Sequence, residues 1–123
     1  MDGLKVLLID DEEELVTTLV ERLGYRGVKA EYALDGYSAL MKMRDGDYNV
    51  VLLDLKLPGM GGREVLRRLR KEYPHVPVLL ITGHGGADGD IENGLEGAYD
   101  YLVKPAQLDD LIAKMREAVS SND

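Results

Sequence analysis

The sequence predicts an α/β sandwich: a five-stranded parallel sheet with helices on both faces. Three observations carry this. Five short apolar runs alternate with amphipathic stretches along the chain, the pattern of strands joined by helical crossovers. Runs such as "KVLLI" and "VVLLD" are almost continuously apolar, as strands covered on both sides are. The 123 residues suit one domain with one core, 1–123, and right-handed crossovers then distribute the helices to both faces.

The elements follow in order. "LKVLLI" (4–9) reads as the first strand. The helix over 12–24 carries Leu15, Leu19 and Leu23 four apart on one face, with Gly24 as its stop. Residues 27–33, "GVKAEYA", form a weaker second strand. Asp35 opens a helix that closes near Gly46. "NVVLLD" (49–54) is the third strand. In the helix over 62–74, Val65, Leu66 and Leu69 face inward, and Arg63, Arg67, Arg70 and Lys71 face largely outward. "VPVLLIT" (76–82) is the fourth strand and "YDYLVK" (99–104) the fifth. Between them lie the glycines 83, 85, 86, 89, 94 and 97. Each glycine inside a helix costs about 1 kcal/mol relative to alanine, so only a short, weak helix around Asp90 to Leu95 is expected there. The closing helix, 106–120, presents Leu108, Leu111, Ile112, Met115 and Val119 on one face, and residues 120–123 read as a frayed tail.

Composition narrows the function. With 45% hydrophobic and 31% charged residues, the chain has the profile of a soluble globular protein. It has no cysteine, which rules out disulfides and thiolate metal sites and fits a reducing cytoplasm. No apolar run approaches the roughly 18 residues of a membrane span. The opening "MDGLKVLLIDD" lacks the basic region and cleavage site of a secretory leader. A net charge of −8 repels a phosphate backbone, so direct nucleic-acid binding is not expected.

In open parallel sheets the ligand site lies beyond the carboxyl ends of the strands. Here the first strand ends in Asp10 and Asp11, the third in Asp54, the fourth in Thr82 and the fifth in Lys104, followed by Pro105. Singly, each has an ordinary reading: a helix cap, a turn residue, a β-branched strand end, a solvated lysine. Together they place three carboxylates, a hydroxyl and an ammonium on one edge. An aspartate at the end of a buried strand is costly unless something pairs with it, and Lys104 or a cation between the carboxylates would do so. An all-oxygen set of this kind suits a hard divalent ion such as Mg²⁺. A carboxylate can also act as a nucleophile on phosphorus, with a metal, a lysine and a hydroxyl stabilising the transferring group.

The stretches "LLIDDEEEL", "VVLLDLKLPGM", "VLLITGHG" and "AYDYLVKP", with 22 positions from Thr82 to Lys104, together resemble the receiver domain of two-component response regulators. The resemblance covers nearly the whole chain. It implies a flavodoxin-like three-layer sandwich with strand order 2-1-3-4-5 and five helices. It implies that Asp54 is the phosphoacceptor, and that Asp11, Asp54 and the backbone carbonyl of Lys56 ligate Mg²⁺ (or Mn²⁺), with Asp10 acting through metal-bound water. Lys104 would contact the phosphoryl group, Thr82 and Tyr101 would form the switch pair, and the Lys104–Pro105 bond would be cis. From the residues alone, Tyr101 is a half-buried strand tyrosine and the proline bond is trans. His84 and Lys56 occupy positions that tune phosphoryl lifetime in the family; on its own His84 reads as an exposed loop residue.

Gly61, Ala106 and the glycine-rich run 83–97 depart from the family pattern. Gly61 stands where an acidic residue is usual, which removes a helix cap and loosens the loop after Asp54. Ala106 stands where phenylalanine is common, so looser packing of the last crossover is expected.

The function implied is a cytoplasmic signalling switch that assists its own phosphorylation and dephosphorylation, not an enzyme with a separate substrate. Its partners would be a sensor histidine kinase or phosphotransfer protein and a downstream output domain or protein, and phosphorylation could drive a dimer. Two rivals differ in class. A Mg²⁺ phosphatase with an aspartyl nucleophile wants a second acid two residues on, where Lys56 stands. A flavodoxin-like cofactor module wants a hydroxyl-rich phosphate loop after the first strand, where "DDEEE" stands and would repel phosphate.

Overall fold

The computed structural model describes residues 3–83 and 97–121. Five parallel strands form one sheet in the order β2-β1-β3-β4-β5. They are β1 (Lys5–Ile9), β2 (Lys29–Ala33), β3 (Val50–Asp54), β4 (Val78–Thr82) and β5 (Asp100–Val103). The helices among the described residues are α1 (Glu13–Tyr25), α2 (Gly36–Asp45), α3 (Gly62–Glu72) and α4 (Leu108–Ser121). The weak helix expected around Asp90 to Leu95, and His84, lie outside the described residues. Helix α4 continues through Ser121, so residues 120 and 121 of the expected tail are helical.

Alternation along each strand divides the core in two. Val6 and Leu8 of β1, Leu52 of β3 and Leu79 and Ile81 of β4 pack with Val16, Leu23, Leu111 and Met115 of α1 and α4. Their neighbours Leu7, Ile9, Val51, Leu53 and Leu80 point the other way, onto Val65 and Leu69 of α3 and Ala39 and Met43 of α2. Every residue of β3 and β4 is buried, which explains why these strands read as unbroken apolar runs.

The local signals act largely as anticipated. Asp35 caps α2, its Oδ1 accepting from the Ser38 amide at 2.8 Å. The inward face of α1 is a correction. Val16 and Leu23 are buried, whereas Leu15 is 45% exposed. The stripe that meets the sheet runs through 16, 19, 20 and 23, one position away from the four-residue spacing at its first turn. At the end of the sheet, Lys114 Nζ meets Asp100 Oδ2 at 2.7 Å and pins α4 to β5. The Tyr99 hydroxyl adds a hydrogen bond to Glu117 at 2.7 Å.

Gly61 does more than remove a cap. Its φ of 84° lies in the left-handed half of the map, and α3 begins without a side-chain cap. The next residue, Gly62, lets the chain pass directly over β3's exit: a Cβ there would sit 2.4 Å from the Leu55 Cα. The Gly62 amide donates to the Leu55 carbonyl at 3.1 Å. The loop after Asp54 is therefore closed tightly by two glycines.

Two outcomes follow from this packing. Gly62→Ala forces overpacking against backbone and lowers unfolding free energy by about 1–3 kcal/mol. Gly24→Ala, with open space around its Cβ, raises it by about 0.5–1 kcal/mol; urea titration of the pair reads both. The second outcome concerns pH. The Lys114 ammonium holds the Asp100 carboxyl below its ordinary value, against a smaller opposing effect of burial. A depressed carboxylate stabilises the fold above its unfolded pKa of about 3.9 and loses that contribution as pH falls through the folded value. The stability gap between wild type and Lys114→Met should thus be open at pH 7 and shrink below about pH 3.9, as followed by thermal melts across pH.

Candidate functional site

The register of the sheet brings the functional residues level. Ile9 of β1 pairs with Leu53 of β3, so Asp10 and Asp54 leave adjacent strands side by side. The Asp10 amide donates to the Ala33 carbonyl at 3.1 Å, and the Lys104 amide donates to the Thr82 carbonyl at 2.7 Å. These bonds carry the ladder one residue past β1 and β5. Lys104 thereby starts from the end of β5 and reaches back across β4 to β3 and β1. The Lys104–Pro105 peptide is cis, as the resemblance implied.

The ammonium of Lys104 is the centre of the site. Its Nζ lies 2.9 Å from Asp10 Oδ2, 2.9 Å from Glu12 Oε1 and 3.0 Å from Asp54 Oδ2. Asp10 and Asp54 are buried, at 7% and 5% exposure. Burial works against the charge on Lys104, but the hydrogen bonds to Asp10, Glu12 and Asp54 outweigh it and hold the ammonium above its ordinary value. Local turns orient the two aspartates: Asp10 Oδ1 accepts from the Glu12 amide at 2.9 Å, and Asp54 Oδ1 accepts from the Lys56 amide at 3.0 Å. Each aspartate thus uses one oxygen to shape its own loop and turns the other to Lys104.

Carboxylate oxygens of Asp10, Glu12 and Asp54 lie within 4.8 Å of one another. Three carboxylates around one ammonium leave two negative charges in excess, and their donors are all oxygen. That set fits a hard divalent cation such as Mg²⁺. Asp11 is exposed at the bend after β1 and is not one of the three. Lys56 is exposed, with its amide turned to Asp54. Thr82 is buried at the end of β4. Tyr101 lies half-buried on β5, opposite Leu80, against the α2–α3 side of the core. The site as described thus joins Asp10, Asp54 and Lys104, and sequence reasoning missed Glu12 as a partner of the lysine. The only signal for it was its place two residues beyond the strand end, within reach of whatever Asp10 binds.

The sequence matches the response regulator receiver domain over residues 6–116. The chain belongs to this family. It is a receiver domain of two-component response regulators, a phosphoacceptor switch, and the phosphatase and flavodoxin-like alternatives find no support. Among its relatives, the uncharacterized transcriptional regulatory protein YkoG of Bacillus subtilis is 38% identical over 123 residues, covering 99% of this chain and 54% of YkoG. A receiver domain protein of Clostridium thermocellum superposes with a TM-score of 0.86 at 32% identity, covering 95% of this chain and 94% of that one. The response regulator TrrA of Thermotoga maritima, in complex with Mg²⁺ and BeF, superposes with a TM-score of 0.83 at 30% identity, covering 96% and 99%. This receiver domain spans about half the length of the curated relatives it matches.

The central ammonium sets a testable energy. Lys104→Met leaves buried carboxylates facing one another without a cation, and breaking such a buried pair costs on the order of 3 kcal/mol. Adding Asp54→Asn to that variant should recover part of the loss. A double-mutant cycle from urea unfolding at pH 7 measures the coupling; simple additivity would contradict the bridge.

Proposed function

We propose that Asp54 is the phosphoacceptor of this receiver domain and that Lys104 holds it ready. The observation that carries the reading is the 3.0 Å contact between Lys104 Nζ and Asp54 Oδ2 at a buried strand end. The donor is a phosphohistidine on a sensor kinase or phosphotransfer protein. An Asp54 carboxylate oxygen attacks phosphorus, a new O–P bond forms, the N–P bond breaks, and the imidazole nitrogen keeps the electron pair. Lys104 carries a positive charge, which the carboxylates around it favour against burial. It can therefore balance the charge of the phosphoryl oxygens as they arrive.

Asp10, Asp54 and either Asp11 or Glu12, with the Lys56 carbonyl, would hold a Mg²⁺ ion, and Mn²⁺ suits the same oxygens. When bound, the ion neutralises charge on the transferring phosphoryl group. Thr82 and Tyr101 form the switch: the hydroxyl is at hand at the end of β4, and the ring lies on the neighbouring strand. New acceptor oxygens on Asp54 would draw the Thr82 hydroxyl inward and let the Tyr101 ring follow. The altered surface would then engage an output domain or protein, or a second copy. A cytoplasmic location accords with such partners, and among the described residues no helix is long and apolar enough to cross a membrane.

Acetyl phosphate with Mg²⁺ should place a base-labile adduct on Asp54, located by mass spectrometry, and Asp54→Asn should abolish it. An adduct on His75 or His84 instead would overturn the assignment. Millimolar Mg²⁺ should also raise the melting temperature through preferential binding to the folded state. Asp11→Asn should sharply reduce that gain if Asp11 is a direct ligand, and Glu12→Gln should do so if Glu12 takes its place.

A further inference from the structure

The sheet ends on one side in β2, and among the described residues no strand pairs with its outer edge. Its inner edge is taken by β1. The Lys29 amide donates to the Leu4 carbonyl at 3.0 Å, and the Ala33 carbonyl accepts from the Asp10 amide at 3.1 Å. Backbone groups alternate between the two edges of a strand as side chains alternate between its faces. Lys29, Glu31 and Ala33 therefore spend theirs on β1, and Ala30 and Tyr32 point theirs outward. A row of outward amides and carbonyls is a template for another strand.

The sequence of β2 singles out which strand fits. A second copy of β2, brought up about a two-fold axis, runs antiparallel and meets the same surface on the first. With the axis at Ala30, the two Ala30 residues exchange both of their hydrogen bonds. Lys29 of each copy then stands opposite Glu31 of the other, at the non-hydrogen-bonded positions where side chains approach most closely. Both residues are exposed. Glu31 has Lys5 and Lys42 at 3.7 and 3.9 Å, yet its side chain keeps 46% exposure. An axis at Tyr32 also uses outward groups, but it sets Glu31 opposite Ala33 and forms no ion pair. The strand at the other edge, β5, carries Asp100 and no cation, so self-pairing there yields no such match.

There is room beside the strand. On the α1 side an open hollow of about 680 Å³ runs along Val28 to Glu31. Gly24 of α1 borders it, and nothing lies within 4 Å of where a Cβ would stand. Tyr32 of the second copy falls opposite Val28 in this register and comes to that hollow.

We propose that two copies of this chain associate through β2, antiparallel, with the two-fold axis at Ala30, joining their sheets into one. The interface does not rest on the phosphoacceptor reading, because β1 stands between β2 and the strand that carries Asp54.

The test is sedimentation equilibrium of the chain with no phosphodonor present. It is run at physiological ionic strength, where repulsion between two chains of −8 is screened beyond about 8 Å. The mass should rise with concentration towards twice that of one chain. Ala30→Pro removes an outward N–H that an edge strand can lose, and should weaken association at least tenfold. Lys29→Glu and Glu31→Lys should each do the same, and an equimolar mixture of the two should restore it, since every charge then meets its opposite. Circular dichroism checks the fold of each variant. Where one does not fold, Lys29→Glu, at an exposed position, decides. A single-chain mass at every concentration overturns the proposal. So does undiminished association in folded Ala30→Pro or in Lys29→Glu, or a mixture of folded variants that associates no better than either alone.

Discussion

One ammonium meeting three carboxylates is the constraint around which the molecule is arranged. Lys104 must cross β4 to reach Asp54 and Asp10, and it can do so only if β5 lies next to β4 and β4 next to β3. Parallel strands put every carboxyl end on the same edge, and an antiparallel neighbour would carry one of these groups to the opposite side. The bridge also requires that two aspartates be buried, which is costly without a paired cation. The loops answer this by tying one oxygen of each aspartate to a backbone amide two residues on. Those bonds stiffen the carboxylates before any cation or phosphoryl group arrives.

The fold was legible because its signals were redundant. Strands β3 and β4 have no polar interruption before Asp54 and Thr82, and Asp35 and Gly46 mark both ends of α2. Agreement among apolar runs, caps and strand-end residues pointed to a parallel α/β sheet, and the family resemblance supplied its strand order. The convergence of Asp10, Asp54 and Lys104 was legible for the same reason: position at a strand end is a property of sequence once the sheet is parallel.

What escaped the sequence depended on rotation and reach. Glu12 enters the site because the turn at Asp10 bends the chain back, and a run of acidic residues does not say which of its members turns inward. Leu15 was expected inward from its four-residue spacing to Leu19 and Leu23, but the buried stripe passes through Val16 instead, and a four-residue spacing alone does not distinguish the two. Gly61 illustrates a different limit. A missing acidic side chain looks like a lost cap, whereas a positive φ shows a backbone path that other residues adopt only under strain.

The division of the core by the sheet has an evolutionary consequence. The two apolar clusters share no buried residue, and each is sealed from the other by a continuous layer of strand backbone. Substitutions on opposite sides are therefore close to additive in their effect on stability. A lineage can remodel one flank of such a protein for a new neighbour and leave the other flank, and the charged edge between them, as inherited.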